Sequence, residues 1–139
     1  MTNEVFLDSG YAIALSVESD EHHQRAEELA ELLEAERTRL VTTRAILLEI
    51  GNALSKERYR NAAIELLDAL EQDATVEIVP LSEELFAQAL DLFRNRPDKE
   101  WGLVDCVSFI VMQERGLTEA LTPDKHYAQA GFRALLRGE

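Results

Sequence analysis

The chain of 139 residues is short of several things, and each shortage closes a possibility. It has one cysteine, Cys106, which excludes an intrachain disulfide framework and a multi-cysteine zinc site. No stretch approaches the roughly 18 uninterrupted apolar residues of a transmembrane helix, so no membrane span is expected. The first residues, MTNEVFLDSG, lack both a basic segment and a long apolar one, so no signal peptide is read there. A reducing cytoplasm fits these features. Glycine and proline number only six and three, and no linker, low-complexity tract or internal repeat interrupts the chain. Cations are also few: 14 lysines and arginines face 27 acids, for a net charge of −13. A simple electrostatic binder of nucleic acid would be basic, and this chain is not one.

What is present is an ordinary globular composition, 46% hydrophobic and 29% charged, with a length that suits one domain spanning residues 1–139. The acidity has three compatible readings: solvated helix faces, a cation site, or a surface complementary to a basic protein partner.

Strand and helix patterns alternate. Val5-Phe6-Leu7 reads as a buried strand ending at Asp8-Ser9-Gly10, with a helix from Tyr11 to Val17 after it. Asp20 is placed to cap a helix over His22 to Glu36, whose stripe is Ala26, Leu29, Ala30 and Leu33. Leu40 to Thr42 is a second strand and Thr43 to Leu54 a helix. Arg58 to Leu70 is another helix, and Val76 to Val79 a strand closed by Pro80. Ser82 caps a helix with the stripe Leu85, Phe86, Ala89, Leu90 and Phe93. After a polar loop containing Pro97 come a helix over Leu103 to Met112, a strand Glu119 to Leu121, a short helix from Asp124 and a last strand near Phe132. Short apolar strands alternating with helices predict a parallel α/β sheet covered on both faces.

Four acids stand out against apolar surroundings. Asp8 and Asp124 follow strands; Glu49 and Asp105 lie in helices beside apolar residues. Each has a structural reading. Asp8 can serve a turn, Glu49 can reach solvent from the edge of its helix, Asp105 can serve its helix dipole, and Asp124 can cap the next helix. If the four converge, they form a set of hard oxygen donors suited to Mg²⁺ or Mn²⁺ rather than zinc. Such ions can activate water and stabilise a phosphate under in-line attack. Ser9 and Thr122 place hydroxyls beside Asp8 and Asp124, where they can orient the carboxylates or a water. Arg44, near Glu49, and Lys125, beside Asp124, are candidate RNA-phosphate contacts. Trp101 reads as core or interface, with base stacking as the alternative, and His126 as a surface or packing residue with a possible phosphate contact.

VFLDSGYAIAL, TTRAILLEIGNAL, WGLVDCVSFIVMQERG and LTPDKHYAQAGFRALL together carry a resemblance. The chain resembles a PIN domain, and within that superfamily the toxin nucleases of the VapBC type. The resemblance spans nearly the whole chain and matches Asp8, Glu49, Asp105 and Asp124 to the family's four acidic positions. It implies a three-layer α/β/α sandwich around a parallel sheet of about five strands. The implied activity is Mg²⁺- or Mn²⁺-dependent endoribonuclease cleavage, with the first three acids holding a metal and the fourth serving a second metal or the nucleophile. It further implies a small antitoxin partner and a homodimer. The acidic balance departs from what a nuclease needs for RNA, and sustains an alternative: a PIN-like module that chiefly binds protein. Two other acid-pocket α/β classes fit poorly. Gly10 stands where an aspartate-nucleophile phosphatase needs a second Asp, and Phe132 to Leu136 lacks a receiver domain's lysine.

Overall fold

A computed structural model describes residues 2–137. The elements run β1 (Glu4–Leu7), α1 (Ser9–Ser16), α2 (His23–Ala35), β2 (Arg39–Thr43), α3 (Arg44–Ala53), α4 (Glu57–Gln72), β3 (Val76–Val79), α5 (Glu83–Asn95), α6 (Leu103–Arg115), β4 (Glu119–Leu121), α7 (Lys125–Gln129) and β5 (Arg133–Ala134), with a closing 3-10 turn at Leu135–Arg137. Every predicted element is present, most within two residues of its expected bounds. Among the described residues no helix is long and apolar enough to cross a membrane.

The five strands form one sheet in the order β3-β2-β1-β4-β5, every pair parallel. Parallel neighbours need crossovers, and right-handed crossovers decide which face each helix covers. Steps from β1 to β2 to β3 run one way and put α1 to α4 on one face, where they pack on one another. The return from β3 to β4 and the step to β5 put α5, α6 and α7 on the other. The result is a three-layer α/β/α sandwich. Val5, Phe6 and Leu7 of the central strand are buried because helices cover both sides of it.

The alternation of short strands and long helices follows local chemistry. Thr43 ends β2 and starts α3 at once, its hydroxyl accepting from the Ile46 N–H at 3.1 Å. Ser82 does the same for α5, accepting from the Leu85 N–H at 3.0 Å. Gly116 ends α6 with φ +66°, the left-handed cap that glycine adopts at little cost. The start of α2 differs from expectation. Asp20 does not cap the helix directly; its carboxylate accepts from the His22 N–H at 2.8 Å and stabilises the turn before it. The stripe of α5 is also wider than the body it covers: Phe86 and Phe93 stay 43% and 46% exposed.

Under α6 the packing is aromatic. Phe109 meets Trp101 and Tyr127 edge-on, each with ring centroids 5.0 Å apart, and Phe132 at 5.7 Å. Trp101 is buried and donates from Nε1 to Gln129 Oε1 at 3.2 Å, so its place is in the core. Cys106 is likewise a buried core residue. This cluster anchors α6 and α7, the two elements that bring Asp105 and Asp124 toward β1. Phe109→Ala is therefore expected to cost about 3–5 kcal/mol in urea denaturation; a loss under about 1 kcal/mol would mean that the cluster does not hold these elements.

Candidate active site

The strand order reverses between β1 and β4, and the crevice beyond their carboxyl ends is where open α/β sheets place ligands. An open pocket of about 380 Å³ lies there, lined by Asp8, Ser9, Gly10, Glu49, Asp105, Pro123, Asp124 and His126. Four acids separated by up to 116 positions in sequence thus share one cavity.

Asp8 leaves β1 and is only 6% exposed. It stands at the capping position of α1 yet makes no side-chain capping bond. Its Oδ2 instead accepts from the Thr122 hydroxyl at 2.7 Å, across the β1–β4 seam, while its backbone N–H donates to Leu121 O at 3.2 Å. The same Thr122 oxygen accepts from the Asp124 N–H at 3.0 Å, so one hydroxyl orients two of the four acidic segments. Glu49 projects from α3, and Ser9 donates to its Oε1 at 2.6 Å. Asp105 lies in the first turn of α6 and reaches back to the Gly102 N–H at 2.9 Å. Glycine has no side chain to return the favour, so this is half of a capping box. Asp124 caps α7, accepting from the His126 N–H at 2.8 Å. Asp105 and Asp124 therefore do serve their helices, and still face the shared pocket.

Gly10 is needed for this closeness. A Cβ there would lie 2.7 Å from Pro123 Cδ, a contact that a rigid ring cannot relieve. A second aspartate two residues after Asp8 has no room.

Crowding appears in the acid strengths. Burial, with Glu49 adding to it, raises the Asp8 carboxyl to about 6 against the Thr122 hydrogen bond. Burial also raises Glu49, assisted by Asp105 and Asp124 and opposed by Ser9. Asp105 is raised by burial and by Asp124, with Gly102 and His126 opposing. Burial and mutual repulsion disfavour the charged form of these carboxylates. Hard oxygen donors in that condition suit a divalent ion, whose charge would relieve both burial and mutual repulsion. Asp8, Glu49, Asp105 and Asp124 are the residues that could hold one.

One residue of the wall, read from the sequence as a surface or packing residue with a phosphate contact as the alternative, stands closer to the acids than that reading placed it. His126 lies in the pocket wall, its Nδ1 3.3 Å from Asp105 Oδ2 and 3.3 Å from Asp124 Oδ1. Its position in the first turn of a five-residue helix, two residues after an acid, was the available signal. Arg137, in the closing 3-10 turn, donates to Pro123 O at 3.3 Å and so ties that turn to the loop before α7. Of the two predicted phosphate contacts, Lys125 opens α7 beside Asp124. Arg44 pairs with Glu71 of α4 and is not part of the pocket wall.

The PIN domain profile matches residues 5–133. The chain belongs to the PIN domain family. Among PIN-domain relatives, it is 25% identical over 128 residues to the 23S rRNA-specific endonuclease VapC20 of Mycobacterium tuberculosis, covering 92% of this chain and 95% of that protein. The crystal structure of VapC20, described as a sarcin-ricin loop cleaving toxin, superposes with a TM-score of 0.81 over the same shares of the two chains. VapBC2 of Rickettsia felis, bound to a DNA fragment from its promoter, gives 0.69 at 13% identity over 94% of this chain and 96% of its own. FitAcB of Neisseria gonorrhoeae gives 0.63 at 16% identity over 94% of each chain. The last two share the PIN fold with this protein.

The weakened acidity of Asp8 has a consequence for stability. The folded chain holds that proton more tightly than the unfolded chain, whose aspartates titrate near 3.8. Between about pH 4 and 6 the folded state binds more protons, so the metal-free protein loses stability as pH rises, on the order of 3 kcal/mol in all. Asp8→Asn removes this charge. In EDTA at pH 7.5 it is expected to melt above the native chain, with the gap closing toward pH 4. A variant that melts below the native chain at both pH values would contradict the assignment.

Proposed function

We propose that this protein is a metal-dependent endoribonuclease and the toxin of a VapBC-type toxin–antitoxin pair. The observation that carries this reading is the meeting of Asp8, Glu49, Asp105 and Asp124 at the switch point of a PIN-domain sheet. The near full-length likeness to an rRNA-cleaving toxin supports RNA as the substrate, with folded loops as well as single strands to be considered.

The cation in this reading is Mg²⁺ or Mn²⁺, because the donors are predominantly carboxylate oxygens. Asp8, Glu49 and Asp105 would hold it, and Asp124 would serve a second ion or orient the attacking water. Bound there, a divalent ion supplies positive charge against the negative charge that builds on a phosphate during in-line attack. The chain's own part is preorganisation. Thr122 keeps Asp8 turned into the crevice and Ser9 does so for Glu49. Lys125, which opens α7 beside Asp124, is the cation we assign to the RNA backbone; Arg44 would have to leave Glu71 to join it.

An apolar groove of about 310 Å³ adjoins the acidic pocket and shares Glu49 with it. Leu48, 61% exposed, and Phe86 form part of its wall. We assign this groove to the antitoxin, whose basic, amphipathic tail would suit both the apolar wall and the net charge of −13. Phe93 on the same helix offers apolar surface for a homodimer. The cytoplasm is the expected compartment. The rival, a PIN-like module that only binds protein, draws on the same negative charge.

The test uses the purified chain freed of partner, with Asp8→Asn and Asp105→Asn, on single-stranded and folded RNAs in EDTA, Mg²⁺ and Mn²⁺. Cleavage is expected only with metal, and is expected to fall by about 100-fold or more in each variant. Variants that cleave like the native chain, or a native chain that cleaves nothing, would reject the nuclease reading.

A further inference from the structure

The carboxylates at this site have hydrogen-bond donors, whereas one ring nitrogen of His126 has no hydrogen-bond partner. Its Nδ1 is screened from solvent and has no hydrogen-bond partner among the described residues. Asp105 Oδ2 and Asp124 Oδ1 are each 3.3 Å away, yet neither approach has hydrogen-bond geometry. Both oxygens are already engaged by backbone N–H groups, from Gly102 and from His126 itself. A buried ring nitrogen left without a partner is costly and calls for a reason. His23 shows the alternative in the same fold: its Nδ1 meets Ala14 O at 2.7 Å.

The spacing supplies the reason. Donor atoms of Asp105, Asp124 and His126 all lie within 4.8 Å of one another. Adjacent donors of an octahedral site with bonds of about 2.1 Å stand about 3 Å apart. The two nitrogen–oxygen separations of 3.3 Å are close to that. We propose that His126 Nδ1 is a nitrogen ligand which, with Asp105 and Asp124, forms a mixed nitrogen–oxygen position for a divalent cation. This rests on the metal-dependent reading above and narrows it. Oxygen-only sites suit Mg²⁺, whereas an imidazole donor favours transition-series ions, so the site prefers Mn²⁺ to Mg²⁺.

The test reads the ligand directly, without activity. The metal-free full chain is loaded with Mn²⁺, and electron spin-echo envelope modulation is recorded with natural and with ¹⁵N-labelled histidine. Nitrogen modulation is expected, changing with the label. It should survive in His22→Gln/His23→Gln and vanish in His126→Phe. In that variant Mn²⁺ affinity should fall about tenfold, and Mg²⁺ affinity by less than about threefold. The labelled native chain carries the test even if His126→Phe does not fold. Mn²⁺ that binds without histidine modulation, or with modulation lost on changing His22 and His23, overturns the His126 assignment and leaves metal dependence standing. A native chain that binds no Mn²⁺ overturns both.

Discussion

The hydrogen bond from Thr122 to Asp8 joins the exits of β1 and β4, the paired strands at the centre of the sheet from which the chain crosses to opposite faces. Most of the site's geometry depends on it. Where the connections of neighbouring parallel strands leave for opposite faces, a crevice opens beyond the strand ends, and there the Thr122 hydroxyl meets Asp8 at 2.7 Å. The hydroxyl also takes the Asp124 N–H, so the exits of β1 and β4 are set relative to one another by one oxygen. Gly10 then permits Pro123 to sit against α1, which keeps the crevice narrow on that side. A valine in place of Thr122 would preserve its volume and remove both bonds.

The same arrangement holds negative charge in a half-dry place. Each of the four acids in the pocket is kept in position by a neutral donor, a hydroxyl or a backbone N–H, rather than by lysine or arginine. Neutral donors orient a carboxylate without cancelling its charge. That is why the acid strengths of Asp8, Glu49 and Asp105 move in one direction. The protein's remaining acidity has a different origin. Glu27, Glu28, Glu31 and Glu34 lie exposed along α2, an ordinary solvated face. A net charge of −13 therefore mixes two populations, one unremarkable and one concentrated where the PIN-domain chemistry would occur.

Apolar surface is left over beside that concentration. α5 packs closely with α6, and its buried residues, Leu85 and Ala89, are on the side that does so. Phe86 and Phe93 turn outward from the same stripe, near Leu48 and Leu81 of the adjoining groove in the case of Phe86. A helix with more apolar face than its own chain covers is expected to meet a partner.

The linear sequence determined much of this protein. Short apolar runs next to amphipathic stretches specify buried parallel strands and covering helices, because burial on one face or two leaves a direct mark on hydrophobic spacing. Ser82 and Thr43 announce helix starts by chemistry confined to four residues. The four acids could be picked out from their apolar neighbours, and matched to a family by the stretches around them. Their convergence was different, since it depends on strand order: β4 lies beside β1 only because the chain crosses back over the other face after β3. The tertiary structure alone decided that His126 stands between two carboxylates, that Arg44 turns to Glu71, and that Arg137 reaches Pro123. Each of those facts is a direction taken by a long or rotatable side chain toward a distant neighbour. Local sequence carries no record of which neighbour will be there.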